Sequence, residues 1–206
     1  CCGFNNTFEY DGNNNITKKT DGNGNATSFQ FDNMGNKLSE GDAFGNAALF
    51  TYEPVYNFIQ SVKDKNGNTT THEFDSKGNL TKVVKPLGIV EQFTYDNFGN
   101  KLSYKDGRNN TTTFTYNAHG YELTETNPLG HTRSHTYDGV GNMLTETNRN
   151  GHVTNFEYDA MNRITSVTNA LGYNTRYGYD NKGNRVFVMD AQGGTINDVV
   201  LTTVAL

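Results

Sequence analysis

Few residues in this sequence are placed to do chemistry. His131, Arg133 and His135 stand at i, i+2 and i+4, a spacing that puts three side chains on one face of a strand. Two imidazoles and a guanidinium so arranged would hold a metal ion or an anion, or would simply be polar substitutions in an apolar face. The remaining histidines are His72, His119 and His152. Aspartates recur at fixed offsets beside glycines, where they serve as turn acceptors or, if clustered, as calcium ligands. The acid-rich nonapeptide of calcium-binding β-helices is absent. There is no Gly-x-Ser-x-Gly, no phosphate-binding loop and no His-Glu-x-x-His. Cys1 and Cys2 are adjacent and close no loop within the chain. They are a candidate intermolecular disulfide, an exposed chain end or a lipidation site. No catalytic, cofactor-binding or metal-ligating residue is assigned, and the expectation is a protein that is not an enzyme.

The elements that would position such residues are unusual in composition. Of 206 residues, 33% are hydrophobic, against about 45–50% apolar in ordinary globular domains. Yet the chain carries 12 Tyr and 13 Phe, too many aromatics for a disordered segment. Thirty Asn and 27 Thr favour turns and strands, so many short strands are expected and little helix. A net charge of −5 argues against a nucleic-acid partner and against a polybasic membrane-surface protein. No window is long and apolar enough for a transmembrane helix, and no signal peptide is visible.

A repeat explains this composition. An aromatic residue followed by Asp, Glu or Asn recurs at Tyr10, Phe31, Tyr52, Phe74, Tyr95, Tyr116, Tyr137, Tyr158 and Tyr179, at spacings of 21 residues with one of 22. The extra residue falls in Glu53-Pro54-Val55-Tyr56-Asn57. Each unit holds two turn signals, such as Asp32-Asn33-Met34-Gly35 and Asp42-Ala43-Phe44-Gly45. Asp or Asn at i with Gly at i+3 fits a type I turn closed by a left-handed residue, a common hairpin connection with a bulge. The turn glycines are Gly24, Gly35, Gly45, Gly67, Gly78, Gly88, Gly99, Gly130, Gly141, Gly151, Gly172 and Gly183. Two turns per unit leave two strands of about six to eight residues, so consecutive hairpins should run up and down.

The second strand of each unit alternates clearly. Phe156 and Tyr158 share a face, and their equivalents are Phe8/Tyr10, Phe29/Phe31, Phe50/Tyr52, His72/Phe74, Phe93/Tyr95, Phe114/Tyr116, His135/Tyr137 and Tyr177/Tyr179. Sixteen of the 18 are aromatic, which predicts an inward ladder whose neighbouring rings interact. The other face, Thr111, Thr113 and Thr115 in one unit, suits water. The first strand, as in Met143-Leu144-Thr145-Glu146-Thr147, should lend an aliphatic or two to the aromatic face.

The unit from Tyr137-Asp138-Gly139-Val140-Gly141-Asn142-Met143-Leu144 through Asn148-Arg149-Asn150-Gly151 to Tyr158-Asp159 resembles the YD repeat of RHS-family proteins. This family includes polymorphic toxins, shell-forming parts of insecticidal toxin complexes, wall-associated proteins and teneurins. The resemblance covers about residues 3 to 194 and implies β-hairpins that spiral into a hollow shell, often around a toxic domain. It also implies carbohydrate binding as an alternative. That alternative requires aromatics such as Phe44, Phe98, Tyr104 and Tyr121 on the outer face. The family's core-terminating segment and an Asp-Pro-x-Gly cleavage motif have no match here.

The expected fold is therefore all-β: tandem 21-residue hairpins in one long antiparallel sheet that coils into a shell, tube or filament wall. Residues 1–9 would end a preceding repeat, 10–194 would form about nine units, and 195–206 would be an apolar tail or the start of a next segment. The expected role is structural, in an extracellular or cell-surface setting, with end-to-end self-association or continuation in a longer chain.

Overall fold

The computed structural model describes residues 5–191 and 194–197. Cys1 and Cys2 and most of the apolar tail lie outside the described residues. The architecture is all-β, with 19 strands and one short 3-10 turn among the described residues. The chain divides into two units, residues 1–95 with 104–110 and residues 96–103 with 111–206.

The first unit contains β1 (Thr7–Tyr10), β2 (Ile16–Thr20), β3 (Ala26–Phe31), β4 (Lys37–Gly41), β5 (Ala47–Tyr52), β6 (Ile59–Lys63), β7 (Thr69–Phe74), β8 (Leu80–Lys85) and β9 (Ile89–Tyr95). Strand β10 (Lys101–Lys105) has residues in both units. The second unit contains β11 (Thr111–Tyr116), β12 (Glu122–Thr126), β13 (Thr132–Tyr137), β14 (Met143–Thr147), β15 (Val153–Tyr158), β16 (Ile164–Thr168), β17 (Asn174–Tyr179), β18 (Arg185–Met189) and β19 (Thr195–Asn197). Within each unit every strand pairs antiparallel with its neighbour in sequence.

The turns form for the reason their composition suggests. In Asp32–Asn36 the Gly35 N–H donates to the Asp32 carbonyl at 3.1 Å, and the Asp32 N–H donates to Asn36 O at 2.9 Å. The Asp32 carboxylate then accepts from the Met34 and Asn36 N–H groups and from the Asn36 amide, all within 2.8–2.9 Å. The same clamp recurs at Asp11, Asp21, Asp64, Asp75, Asp96, Asp106, Asp138 and Asp180. All twelve predicted turn glycines have positive φ, and so does Gly120. Asn14, Asn109 and Asn162 take the left-handed position where glycine is missing, as asparagine tolerates.

One turn departs from the pattern. At Lys85-Pro86-Leu87-Gly88 the chain makes a short 3-10 turn in which Leu87 (φ 65°) and Gly88 (φ 76°) are both left-handed. Lysine in place of Asp or Asn removes the acceptor that would organise the turn, and the Lys85 ammonium instead bonds Glu91 at 2.6 Å.

A second device was not visible in the repeat. In the hairpins closed by the turn after the aromatic, the register shifts by one residue at that aromatic: Tyr137 pairs with Met143 but Thr136 with Thr145, so Leu144 is extra. The same shift occurs at Tyr10, Phe31, Tyr52, Phe74, Tyr116, Tyr158 and Tyr179. The bulge leaves Leu38 and Leu144 more than a third exposed. Aliphatics do reach the aromatic face: Val62, Val83, Val167 and Val188 stand opposite Phe50, His72, Phe156 and Tyr177, and Leu80, Met143 and Ile164 opposite Phe74, Tyr137 and Tyr158.

The core is thin, as a single layer of strands requires. Among the described residues only Gly41, Val83 and Ser166 are buried.

Candidate functional site

The face carrying the aromatics is the candidate surface. In β15 the pattern of Val153-Thr154-Asn155-Phe156-Glu157-Tyr158 alternates exposed and half-buried, with Thr154, Phe156 and Tyr158 on the covered side. Phe29, Phe31, Phe50, Tyr52, Phe74, Phe93, Tyr95, Phe114, Tyr116, Tyr137, Tyr177 and Tyr179 are likewise half-buried, while Phe8 and Tyr10 are exposed.

The rings do not touch one another along the ladder as expected. Each aromatic strand is separated from the next by a first-type strand, so equivalent rings stand about 9.6 Å apart. The gaps are filled by other groups. Phe93 stacks on Tyr104 at 5.2 Å, Tyr137 meets Tyr121 at 5.2 Å in a tilted pair, and Phe74 meets Phe58 at 5.3 Å. Lys37, Lys101 and Arg163 lie over Phe50, Phe114 and Tyr179. Tyr104 and Tyr121 are thus used on the aromatic side, not on an outer binding face. Phe44 and Phe98 stand at turn tips, each 89% exposed.

The phenols follow one rule. Tyr52, Tyr95, Tyr116, Tyr137, Tyr158 and Tyr179 each donate to the carbonyl fifteen residues earlier, on Lys37, Leu80, Lys101, Glu122, Met143 and Ile164, at 2.9–3.0 Å. Glu122, Met143 and Ile164 are the residues paired with the aromatic at the preceding bulge. Each tyrosine therefore fastens the irregular point of the hairpin before it. Burial raises the phenol pKa of Tyr95, Tyr116, Tyr137 and Tyr158.

The second unit also holds a charged network on this face. Arg133 bonds Glu125 at 2.8 Å and Glu122 at 3.2 Å, and Arg149 pairs with the same Glu125. The His135 ring is 9% exposed and stands 4.0 Å from the carboxylates of Glu122 and Glu146. His131 does not join it: it is the last residue of the Asn127 turn, before β13 begins, and is exposed. Arg133 Nε and His72 Nδ1 are buried without a hydrogen-bond partner. Three glutamates here face two arginines and a histidine, and the network presents no nucleophile beside a base. Among the described residues no group of three or more His, Cys, Asp or Glu is arranged to hold a metal ion.

The turn carboxylates are used within their own turns. In Asp138 one oxygen accepts two N–H bonds and the other accepts the Asn142 amide, so three of the four lone pairs of the carboxylate are engaged within the turn. The Asn142 amide and the turn N–H groups hold its carboxyl below the usual range, as Asn36 does for Asp32. At Asp159 the donor is the Arg163 guanidinium.

The ends of the hairpins differ. At the turns after the aromatic, side chains reach across to the next such turn: Asn36 and Asn57 exchange amide bonds at 2.9 Å, Asn142 bonds Asn162 at 2.8 Å, and Arg163 bonds the Asp180 carbonyl. Tyr121 lies against Gly141. At the other end Gly130, Gly151 and Gly172 have nothing within 4 Å of where a Cβ would stand.

Tandem antiparallel hairpins with a clamped turn at each end and a bulge at each aromatic define a β-hairpin repeat protein. The sequence matches the RHS Repeat family over residues 10–47, 74–108, 137–173 and 158–195, more than half of its length, and the chain belongs to that family. Among solved structures the fold is similar to a segment of TcdB2-TccC3-TEV, with a TM-score of 0.64 and 14% identity over 90% of this chain. It is similar also to TcdB2-TccC3 without its hypervariable C-terminal region, with a TM-score of 0.51 and 17% identity over 90% of this chain. The chain spans 11% and 12% of the length of those two. No curated protein sequence matches it. No helix among the described residues is long and apolar enough to cross a membrane.

Proposed function

We propose that this chain is structural, a stretch of β-wall that encloses or supports rather than transforms. The observation that carries this reading is the use to which the recurring side chains are put. The aspartates clamp turns, the tyrosines fasten bulges, and the arginines of the aromatic face pair with its glutamates. Among the described residues these recurring side chains serve the fold itself, and a structural rather than catalytic role follows from that use.

Coiling of the sheet so that the aromatic face turns inward would cover the half-buried rings, since a large exposed apolar face is unfavourable in water. The right-handed twist of strands and the regular bulges favour such curvature. The likeness to a segment of TcdB2-TccC3 supports a wall of this kind, and an extracellular or cell-surface setting with continuation in a longer chain or end-to-end association goes with it. Electron microscopy of the native material, with and without reductant, tests the reading. Closed particles or regular fibres with a continuous β-wall are expected, and loss of fibres in reductant would assign the linkage to Cys1 and Cys2. Isolated compact particles with no wall would overturn it.

A further inference from the structure

The long turn between β5 and β6 encloses, with the strand and turn that follow it, a cavity of about 570 Å³. A space of that size holds a small organic molecule. Glu53, Val55 and Tyr56 line it from the long turn, and Glu73, Phe74 and Asp75 line it from the end of β7. His72 is the only basic side chain among the lining residues, which include no lysine or arginine. The walls are therefore aromatic, aliphatic and acidic.

The rings are stacked and partly open. Tyr56 stacks on Phe58 at 5.6 Å, and Phe58 meets Phe74 at 5.3 Å. The Tyr56 hydroxyl donates to the Ser76 carbonyl at 2.7 Å, which holds the ring across the next turn. Even so, Tyr56 is 39% and Phe58 43% exposed. The faces of such rings attract cations.

The three carboxylates differ in their pairing. Glu73 bonds Lys82 at 2.8 Å, and Asp75 sits in its own turn clamp with Lys77 nearby. The Glu53 carboxylate accepts N–H bonds from Val55, Tyr56 and Phe58, and among the described residues no cation pairs with it. A backbone N–H carries no net charge, so the negative charge of Glu53 stays at the cavity wall.

Elsewhere the array supplies a cation to the same arrangement. Arg163 ends the Asp159 turn as Phe58 ends the Glu53 turn, since in each the first N–H donates to the last carbonyl at 2.9 Å. The Arg163 guanidinium lies 4.5 Å from the centre of the Tyr179 ring and pairs with Asp159 at 2.6 Å. Lys37 and Lys101 cover Phe50 and Phe114 in a similar way. Beside Phe74 a phenylalanine stands where the arginine would be, and the carboxylate that heads the turn keeps its charge.

We infer that this cavity is a binding site for an organic cation, an ammonium or guanidinium group carried on an apolar stem. The charge lies against Glu53 and the Tyr56 ring, and the stem against Val55 and Phe74. A free amine and the side chain of a lysine or arginine in another polypeptide present this same chemistry. The site lies within the first unit, and the inference does not depend on the wall reading.

The test is ligand-observed saturation-transfer NMR on the purified chain at low salt. The probes are n-butylammonium chloride, n-butanol as its uncharged match, and the capped peptide Gly-Gly-Arg-Gly-Gly. Saturable binding of n-butylammonium is expected, about tenfold or more tighter than that of n-butanol. Glu53→Gln should weaken the binding of n-butylammonium about tenfold. Its thermal transition should stay in place, because amide side chains head the turns at Asn127, Asn148 and Asn169. Phe58→Arg copies the Arg163 turn, fills the site from within and should remove the binding. With n-butylammonium bound, binding of the peptide would assign the site to a basic side chain of another chain, and exclusion of the peptide to a free amine; both support the inference. No saturable binding of n-butylammonium, equal binding of the amine and the alcohol, or unchanged affinity in Glu53→Gln would each overturn it.

Discussion

The tyrosine rule makes a prediction that can be run in both directions. Tyr158 Oη donates to the Met143 carbonyl at 2.9 Å, and Met143 is the residue paired with Tyr137 at the bulge. Tyr158→Phe removes the donor, keeps the ring and leaves a half-covered carbonyl without that partner. A neutral hydrogen bond of this kind contributes about 0.5–1.5 kcal/mol net. Local opening of the 137–143 hairpin should therefore become about fivefold easier. The melting temperature of the chain should fall by about 2–4 °C. Native-state hydrogen exchange reads the local effect, and calorimetry the global one. Because the units interact chiefly with sequence neighbours, the acceleration should be confined to the hairpins on either side of the substitution. The reverse experiment is Phe31→Tyr. Phe31 holds the equivalent position, and Ile16, fifteen residues earlier, pairs with Tyr10 at its bulge. A new hydroxyl there should slow exchange around Ile16 by a similar factor. If Tyr158→Phe leaves the 137–143 amides unchanged, or accelerates the whole array uniformly, the phenol does not fasten the bulge and the argument fails.

Acid should loosen the array from the turns. Eleven turn aspartates, among them Asp32 and Asp138, have carboxyls held below their ordinary value, so their contribution is complete above the unfolded value near 3.9 and is lost as the pH falls through the depressed folded values. Exchange mapped below pH 4 should show the Asp turns opening before those at Asn127, Asn148 and Asn169, whose side chains do not titrate; simultaneous opening would contradict this. Gly130→Ala should cost about 1–2 kcal/mol, the left-handed penalty alone, whereas Gly141→Ala should melt lower because Tyr121 occupies the space a methyl needs. Equal melting temperatures for the two would refute the steric part. Leu87→Gly should raise stability by up to about 1 kcal/mol, since Leu87 is fully exposed and left-handed and loses no packing; a lower denaturation midpoint would count against it.

The parts of the fold legible in the sequence are those decided within five residues. An aspartate, a glycine three places on and an asparagine after it contain all the atoms of the clamp, so Asp32–Asn36 could be read directly. Gly120 belongs with the predicted turn glycines: its Asn117 turn has the same form as the Asn169 turn of Gly172, and its φ is 83°. The bulge at the turn glycine was expected, but the further bulge inside the strand, at Leu38 and Leu144, was illegible because it adds a residue to one strand without changing the repeat length. The phenol bond was illegible because its acceptor is a carbonyl, which leaves no mark in composition. Tyr104 and Tyr121 were misplaced for the same reason: pairing each with Phe93 and Tyr137 depends on which strand lies between two aromatic strands. His131 was grouped with His135 by counting, but the turn claims it before the strand begins.

The single inserted residue between Glu53 and Phe58 shows where such an array can change length. The Glu53 N–H still donates to the Phe58 carbonyl at 2.9 Å, and β5 and β6 still pair Phe50 with Val62 and Thr51 with Ser61. The loop absorbed the residue, and the strands on both sides kept their frame. The same insertion inside a strand would exchange the two faces of everything after it, turning threonines inward and rings outward, like a frameshift in a coding sequence. Length in this protein is therefore quantised. It can grow or shrink by whole 21-residue words, or by single letters at a turn, and the text on either side still reads.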